Sequence, residues 1–381
     1  GVALLYATAT NGAQNNTIQN NTIDLNRTYQ NTFGIYSNSA HTATSVTTSA
    51  TATGAGGGNS GLKIYGNTIT DVNQGIVVIG PTAAADMNSS LDIGGTSAPQ
   101  GNNITNWGTT NAFSNFVLLG GQTHGIFIRN VLNYNVSFNT ITSSNGGNTL
   151  GQLRGIWINT ASNTPTGTQT NTINNNNLSL RNGVAAVINV INVDATTSSS
   201  TSSISINNND INNTTHTVAA TNAINFITQS LVCQTININS NTFTNLSVNT
   251  SGNVTFISNS VSASTAGSKT VNGNSIVTGF NKTVAGGTVA LYTDGGSSTS
   301  TTAHQNNNNN FSNITVTGAT SITGWFNNDG TGSTPQKTIT GNTFSNWTCG
   351  TGSVIVLQNN FGGGTLNISN NTISNITAQA A

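Results

Sequence analysis

Residues 366–377 read LNISNNTISNIT: apolar and polar positions alternate through Leu366 and Ile368, the alternation breaks at Asn371, and it resumes at Ile373. Alternation at period two predicts a strand, and the change of spacing at the asparagine predicts a corner. The same shape returns in LKIYGNTITDV, YNVSFNTITSS, SISINNNDINN, TININSNTFTNL, TVNGNSIVTGF and KTITGNTFSNW. Aligned on the apolar residue two places after the main asparagine, the copies fall on Ile23, Ile69, Ile104, Ile141, Leu178, Ile211, Phe243, Ile276, Phe311, Phe344 and Ile373, 29 to 46 residues apart and most often 33. A period of this size is the signature of a stacked solenoid.

Ten to fifteen residues after each phrase comes a second apolar stretch, often led by glycine: GIVVIG, NFVLLG, GIWIN, AAVINVINV, AINFIT, NVTFIS, GTVALYT and SVIVLQ. Segments of variable length rich in Gly, Ser, Thr and Asn follow it, which places the loops on one face. The longest is expected over residues 34–60. β-branched residues prevail and no helical spacing is sustained, so each coil reads as two or three short strands with essentially no helix. Asn21, Asn67, Asn139, Asn209, Asn241, Asn274, Asn342 and Asn371 are expected at the corners. Asparagine tolerates the left-handed backbone region, and its amide can bond to the equivalent amide in the next coil.

Charge changes the picture by its scarcity. The chain of 381 residues carries eight Lys plus Arg and eight Asp plus Glu, all eight acids being Asp. No basic stripe is present to neutralise phosphates and no polybasic segment to hold anionic lipid, so nucleic acid and membrane surface are poor partners. No apolar run reaches the length of a membrane span, and the first residues do not read as a charged-then-apolar signal peptide, which is uninformative about export. Both ends break off within the pattern, as expected of a piece of something longer. Cys233 and Cys349 lie about three coils apart, too far for a disulfide at roughly 4.8 Å per layer. Two buried thiols are expected. The histidines and cysteines form no zinc pattern, and nothing calls for a cofactor.

The recurring units IQNNTIDL, IYGNTITDV, ININSNTFTNL, ITGNTFSNW and ISNNTISNI, each paired with a strand such as GIVVIG or GIWIN, resemble the repeat of the right-handed parallel β-helix proteins of the pectin-lyase-like superfamily, over residues 15 to 377. The resemblance implies an all-β, right-handed parallel β-helix in one domain of about ten to eleven coils of roughly 33 residues. It also raises the question of polysaccharide cleavage. Enzymes of this shape gather acids, or acids with a basic residue, on one face. Here Asp24, Asp71, Asp86, Asp92, Asp194, Asp210, Asp294 and Asp329 fall mostly in different coils and registers.

Four constellations are candidates for chemistry. Asp294 and Asp329 each stand 18 places after their phrase residue and before a glycine, so adjacent coils would bring them to roughly 5 Å, near enough for a cation or a catalytic pair. The plainer reading is an Asp-Gly turn. His124, Arg129, Arg154 and Arg181 lie at the ends of Gly-led strands in consecutive coils, either to meet an acidic sugar or as solubilising groups. Trp107, Trp157, Trp325 and Trp347 could stack on sugars, although Trp107 and Trp347 take the place of Leu246, Ile314 and Ile376 and read as core. Flanking the inward residues, Thr68 and Thr70, Thr140 and Thr142, Thr242 and Thr244, Thr343 and Ser345, and Thr372 and Ser374 form hydroxyl columns of the kind an ice-binding solenoid would use. Asn103, Asn177, Asp210, Val277 and Asn310 interrupt them.

Asn-x-Ser/Thr triplets such as Asn245-Leu246-Ser247 recur, and on a eukaryotic secretory route they would crowd packed strands with glycans. A bacterial or phage origin fits better. The expectation is a non-enzymatic structural or adhesive segment of a large secreted or cell-surface bacterial protein, with other surface proteins, glycans or copies of itself as partners. A polysaccharide-binding or polysaccharide-cleaving protein is the alternative, and an ice-binding solenoid the second.

Overall fold

The computed structural model describes residues 1–29, 32–38, 52–54, 56–109, 122–143, 152–159, 167–194, 201–264, 266–296, 303–329, 336–362 and 364–379. They form a parallel β-solenoid of about ten turns with roughly 33 residues per turn. One side is an 11-stranded sheet of the Gly-led strands, Gln74–Ile79, Thr123–Arg129 and Leu153–Asn159 among them. A second 11-stranded sheet holds the first half of each repeat phrase, and the second half runs into sheets of eight and seven strands. The 3-10 turn Ala98–Gln100 is the only helical element among the described residues. Among the described residues no helix is long and apolar enough to cross a membrane.

Alternation sends one side chain of each pair inward, where identical residue types stack. The aligned phrase residues pair in register from Ile23 with Ile69, through Ile104, Ile141, Leu178, Ile211 and Phe243, to Ile276, all buried. A one-residue slip would turn every such side chain outward, which is why the register holds over so many turns. Trp107, Trp325 and Trp347 are fully buried in the same core, and Cys233 and Cys349 are buried free thiols, as expected. Trp157 lies apart, in a small apolar cluster with Tyr36, Val77, Ile79 and Phe127.

The expected loop over residues 34–60 needs correction. Its first residues belong to the strand Phe33–Asn38, which pairs with Gln74–Ile79. Asn59 is also built in, with its amide donating to Ser37 Oγ at 3.1 Å. Residues 39–51 and 55 lie outside the described residues. FGIYSN carries the same alternation as the other Gly-led strands, and the long polar segment behind it hid that pattern.

The corner asparagines form one continuous ladder. From Asn21 through Asn67, Asn102, Asn139, Asn176, Asn209, Asn241, Asn274, Asn309 and Asn342 to Asn371, each Nδ2 donates to the next Oδ1 at 2.8–3.1 Å. Each Oδ1 also accepts the backbone N–H of the asparagine before it, as from Asn209 to Asn241 at 3.0 Å. The second hydrogen of Nδ2 goes to a strand carbonyl, as from Asn241 to Ile206 at 2.9 Å. Amide capacity is thus satisfied without water or charge, the condition for burying polar groups at low cost. All eight predicted corner residues lie in the ladder, which adds Asn102, Asn176 and Asn309.

One part of the corner argument changes. At ten of the eleven rungs the left-handed residue is the one before the ladder asparagine: Asn20, Gly66, Phe138, Asn175, Asn208, Ser240, Gly273, Asn308, Gly341 and Asn370 all have φ between 55° and 67°, whereas Gly101, before Asn102, follows the 3-10 turn with φ −61°. Turning the chain and bridging the coils are tasks of two consecutive residues.

Candidate functional site

The inward column of the second sheet is aliphatic at Ile204 and Ile236, then becomes Lys269, His304 and Lys337 in the next three coils. These side chains meet the end of the Gly-led strands. Lys269 Nζ donates to Asp294 Oδ1 at 2.8 Å and Oδ2 at 3.0 Å, and Tyr292 donates its hydroxyl to the same Oδ2 at 2.6 Å. Lys337 Nζ lies 2.6 Å from both oxygens of Asp329, and His304 Nδ1 lies 2.6 Å from Asp329 Oδ2. All six residues are at most 1% exposed. Three of the four lysines in the chain, counting Lys282, are therefore in the interior.

Asp294 and Asp329 are thus brought together and buried; Asp294 also accepts the backbone N–H of Gly296 at 3.3 Å, so the turn reading and the acid pair hold together there. Asp294 pairs in register with Asn327 and not with Asp329. The carboxylates converge because Asp329 lies two residues beyond that strand position. Asp294, His304 and Asp329 each offer a donor atom within 4.8 Å of the others, a spacing that a metal ion could bridge. Both carboxylates, however, already hold ammonium groups, and two Lys against two Asp leave no net charge for a metal to cancel.

Burial opposes ionisation of Asp329, but His304, Lys337 and Lys269 outweigh it and hold its pKa well below the usual carboxylate range. Burial pulls Lys337 below the ordinary lysine value against the attraction of Asp329 and Asp294. Tyr292 is pushed far up by burial and by the two carboxylates. Such a network is expensive to bury and stable only while every charge has its partner. Groups this enclosed cannot touch an external polymer.

The basic candidates separate. His124 and Arg154 are register neighbours on the Gly-led sheet, with the guanidinium 3.7 Å from the centre of the Trp157 ring and His124 stacked on Trp157 and Phe127. His124 Nδ1 is 2.8 Å from Gln74 Oε1, and burial with the adjacent Arg154 charge holds its pKa well below that of free histidine. Burial also lowers Arg154, to about 10. Arg129 closes the strand Thr123–Arg129, whereas Arg181 is exposed on the seven-stranded sheet. Among the other acids, Asp71 meets Arg27 at 3.9 Å and Asp92 accepts from Asn135 at 2.8 Å, in separate places.

Sequence reasoning overlooked Lys269, His304 and Lys337. Each stands seven places before its phrase residue, where Ile204, Ile236 and Leu366 stand in other coils. That alignment column carried the signal.

The fold and this interior define a parallel β-solenoid with an amide ladder and a buried ionic cluster. No protein-family model, no curated protein and no solved structure matches the chain.

Proposed function

We propose that the chain is a rigid structural or adhesive segment, a stalk, fibre or surface-layer module, of a secreted or cell-surface bacterial protein. On this reading it is a right-handed β-helix akin to the pectin-lyase-like proteins. The observation that carries the reading is the unbroken ladder of eleven asparagines, which ties every turn to the next with hydrogen bonds inside the body. In a solenoid each coil is stabilised by its neighbours, so such ties stiffen the rod along its axis. Ten steps at about 4.8 Å give a body of about 50 Å along that axis. The strongly paired acids and bases are turned inward, leaving an exterior of hydroxyls and amides suited to spacing and contact. Partners of this exterior are other surface proteins, glycans or further copies of the chain.

The test is immunogold labelling of intact cells of the source organism with an antibody against this chain. Label outside the envelope is expected, and label confined to the cell interior overturns the proposal. A glycan-binding role is favoured by a groove of about 330 Å³ on the outer face of the Gly-led sheet, lined by Thr255, Ala290, Thr293, Thr323, Phe326 and Gln358. Saturable binding of a neutral polysaccharide, lost in Phe326→Ser, would support it. Ice binding is weaker, because the register interleaves Asn103, Asn177 and Asp210 among the threonines of one hydroxyl column.

A further inference from the structure

We infer that Lys337 and Asp329 are a site of self-catalysed amide formation, a covalent staple between the lysine Nζ and the aspartate Cγ inside one coil. Nζ lies 2.6 Å from each carboxylate oxygen. Such a contact is a bidentate ion pair near the carboxylate plane, with Nζ one heavy-atom contact from Cγ, so a turn of the carboxylate about its Cβ–Cγ bond presents its face to the nitrogen. Both side chains are fully enclosed, and His304 Nδ1 sits 2.6 Å from Oδ2 to carry protons. Asp294, held by Lys269 and Tyr292, keeps a second carboxylate beside the group.

The chemistry balances without any added reagent. The ion pair is the favoured state, and the reactive form is the minor one in which the Lys337 ammonium has passed a proton to Asp329, leaving a neutral amine and a carboxylic acid. The amine lone pair adds to Cγ and the C–N bond forms. The adduct nitrogen loses its second proton through Oδ2 to His304, which returns it to the same oxygen; the C–O bond breaks, and that oxygen leaves as water. His304 ends as it began. Ammonium and carboxylate have become amide and water, with no change in charge or oxidation state.

Two physical terms favour this outcome. Holding the groups in contact removes the entropic cost of bringing them together, which leaves only the turn of the carboxylate that presents its face to the nitrogen. The buried ion pair also carries a desolvation cost that a neutral amide does not. Burial already favours the neutral amine of Lys337, the form that can act as nucleophile. Lys269 and Asp294 remain as a balanced pair afterwards. Lys282 has no carboxylate partner: it donates to the carbonyls of Val284 and Gly286, both at 2.6 Å.

The experiment is intact-mass spectrometry of the purified, folded chain, followed by tryptic digestion after denaturation. The expected mass is that of the sequence less one water. Because no Lys or Arg follows Lys337, blocked cleavage there yields one peptide covering residues 283–381. Lys337→Met should restore the sequence mass, whereas Lys269→Met should keep the deficit, and near-ultraviolet circular dichroism identifies which variants fold. Folded wild-type chain with the full sequence mass and normal cleavage after Lys337 overturns the proposal. The readout is covalent, so it stands or falls separately from the structural role proposed above.

Discussion

Asn241→Ala cuts the amide ladder at its middle. Four hydrogen bonds disappear: those accepted by Asn241 Oδ1 from Asn209 N and Nδ2, both at 3.0 Å, and those donated by Asn241 Nδ2 to Asn274 Oδ1 and Ile206 O, both at 2.9 Å. Asn274 Oδ1 keeps the backbone N–H of Asn241 at 3.0 Å. The two Asn209 donors lose this acceptor inside the body. At about 1–3 kcal/mol for each buried group left unpaired, the loss is about 2–6 kcal/mol, with the lower end reached if a water enters the gap. Asn281→Ala is the control: this exposed asparagine should cost no more than about 0.5 kcal/mol. Urea denaturation measures both, and hydrogen exchange should show protection falling in the coils on either side of residue 241.

Asn241→Asp sharpens the test. A carboxylate keeps the acceptor role but cannot donate to Asn274 Oδ1 or Ile206 O. The folded chain then binds a proton more tightly than the unfolded one, so the variant's deficit widens as pH rises above about 4. If Asn241→Ala matches Asn281→Ala within error, the ladder does not hold the coils together and the argument for a stiff rod fails.

Gly125→Ala should cost about 1–3 kcal/mol by the same denaturation assay, because a Cβ there would meet Ile141 Cγ2 at 2.5 Å and Gly155 O at 2.7 Å. A neutral effect would mean that the strand can shift outward. Burial lowers the pKa of Lys282 from 10.5 to about 8. Between those values the unfolded chain binds more protons, so this residue's contribution to stability rises with pH through that window. Thermal melts across it should show the rise in wild type and lose it in Lys282→Met; an unchanged slope in the variant would refute the assignment. Trp157 is 4% exposed and the other three tryptophans 0%, so acrylamide should quench native fluorescence far less than that of the unfolded chain. Equal quenching would place the indoles outside the core.

The corner asparagines were legible where the repeat is clean, as in SNTFT and GNTFS, because alternation on both sides identifies the turning point. Asn102, Asn176 and Asn309 were harder to name. They stand within GNNIT, NNNNLS and NNNNNF, where neighbouring asparagines compete and only stacking decides which one points inward. The acid pair was noticed because Asp294 and Asp329 share an offset from the repeat. Its burial was not, because a lysine or histidine in a strand is ordinarily read as an outward residue.

The linear order of residues determined the period, the strand type, the corner and the stacking of like on like. Each of these is a local preference repeated often enough to outweigh its exceptions. Tertiary structure alone decided which polar groups are enclosed and whom they meet. Lys269 faces Asp294 across 25 positions and Lys337 faces Asp329 across 8. Those meetings follow from how each turn closes on itself, and closure places two strand ends side by side whatever residues they carry.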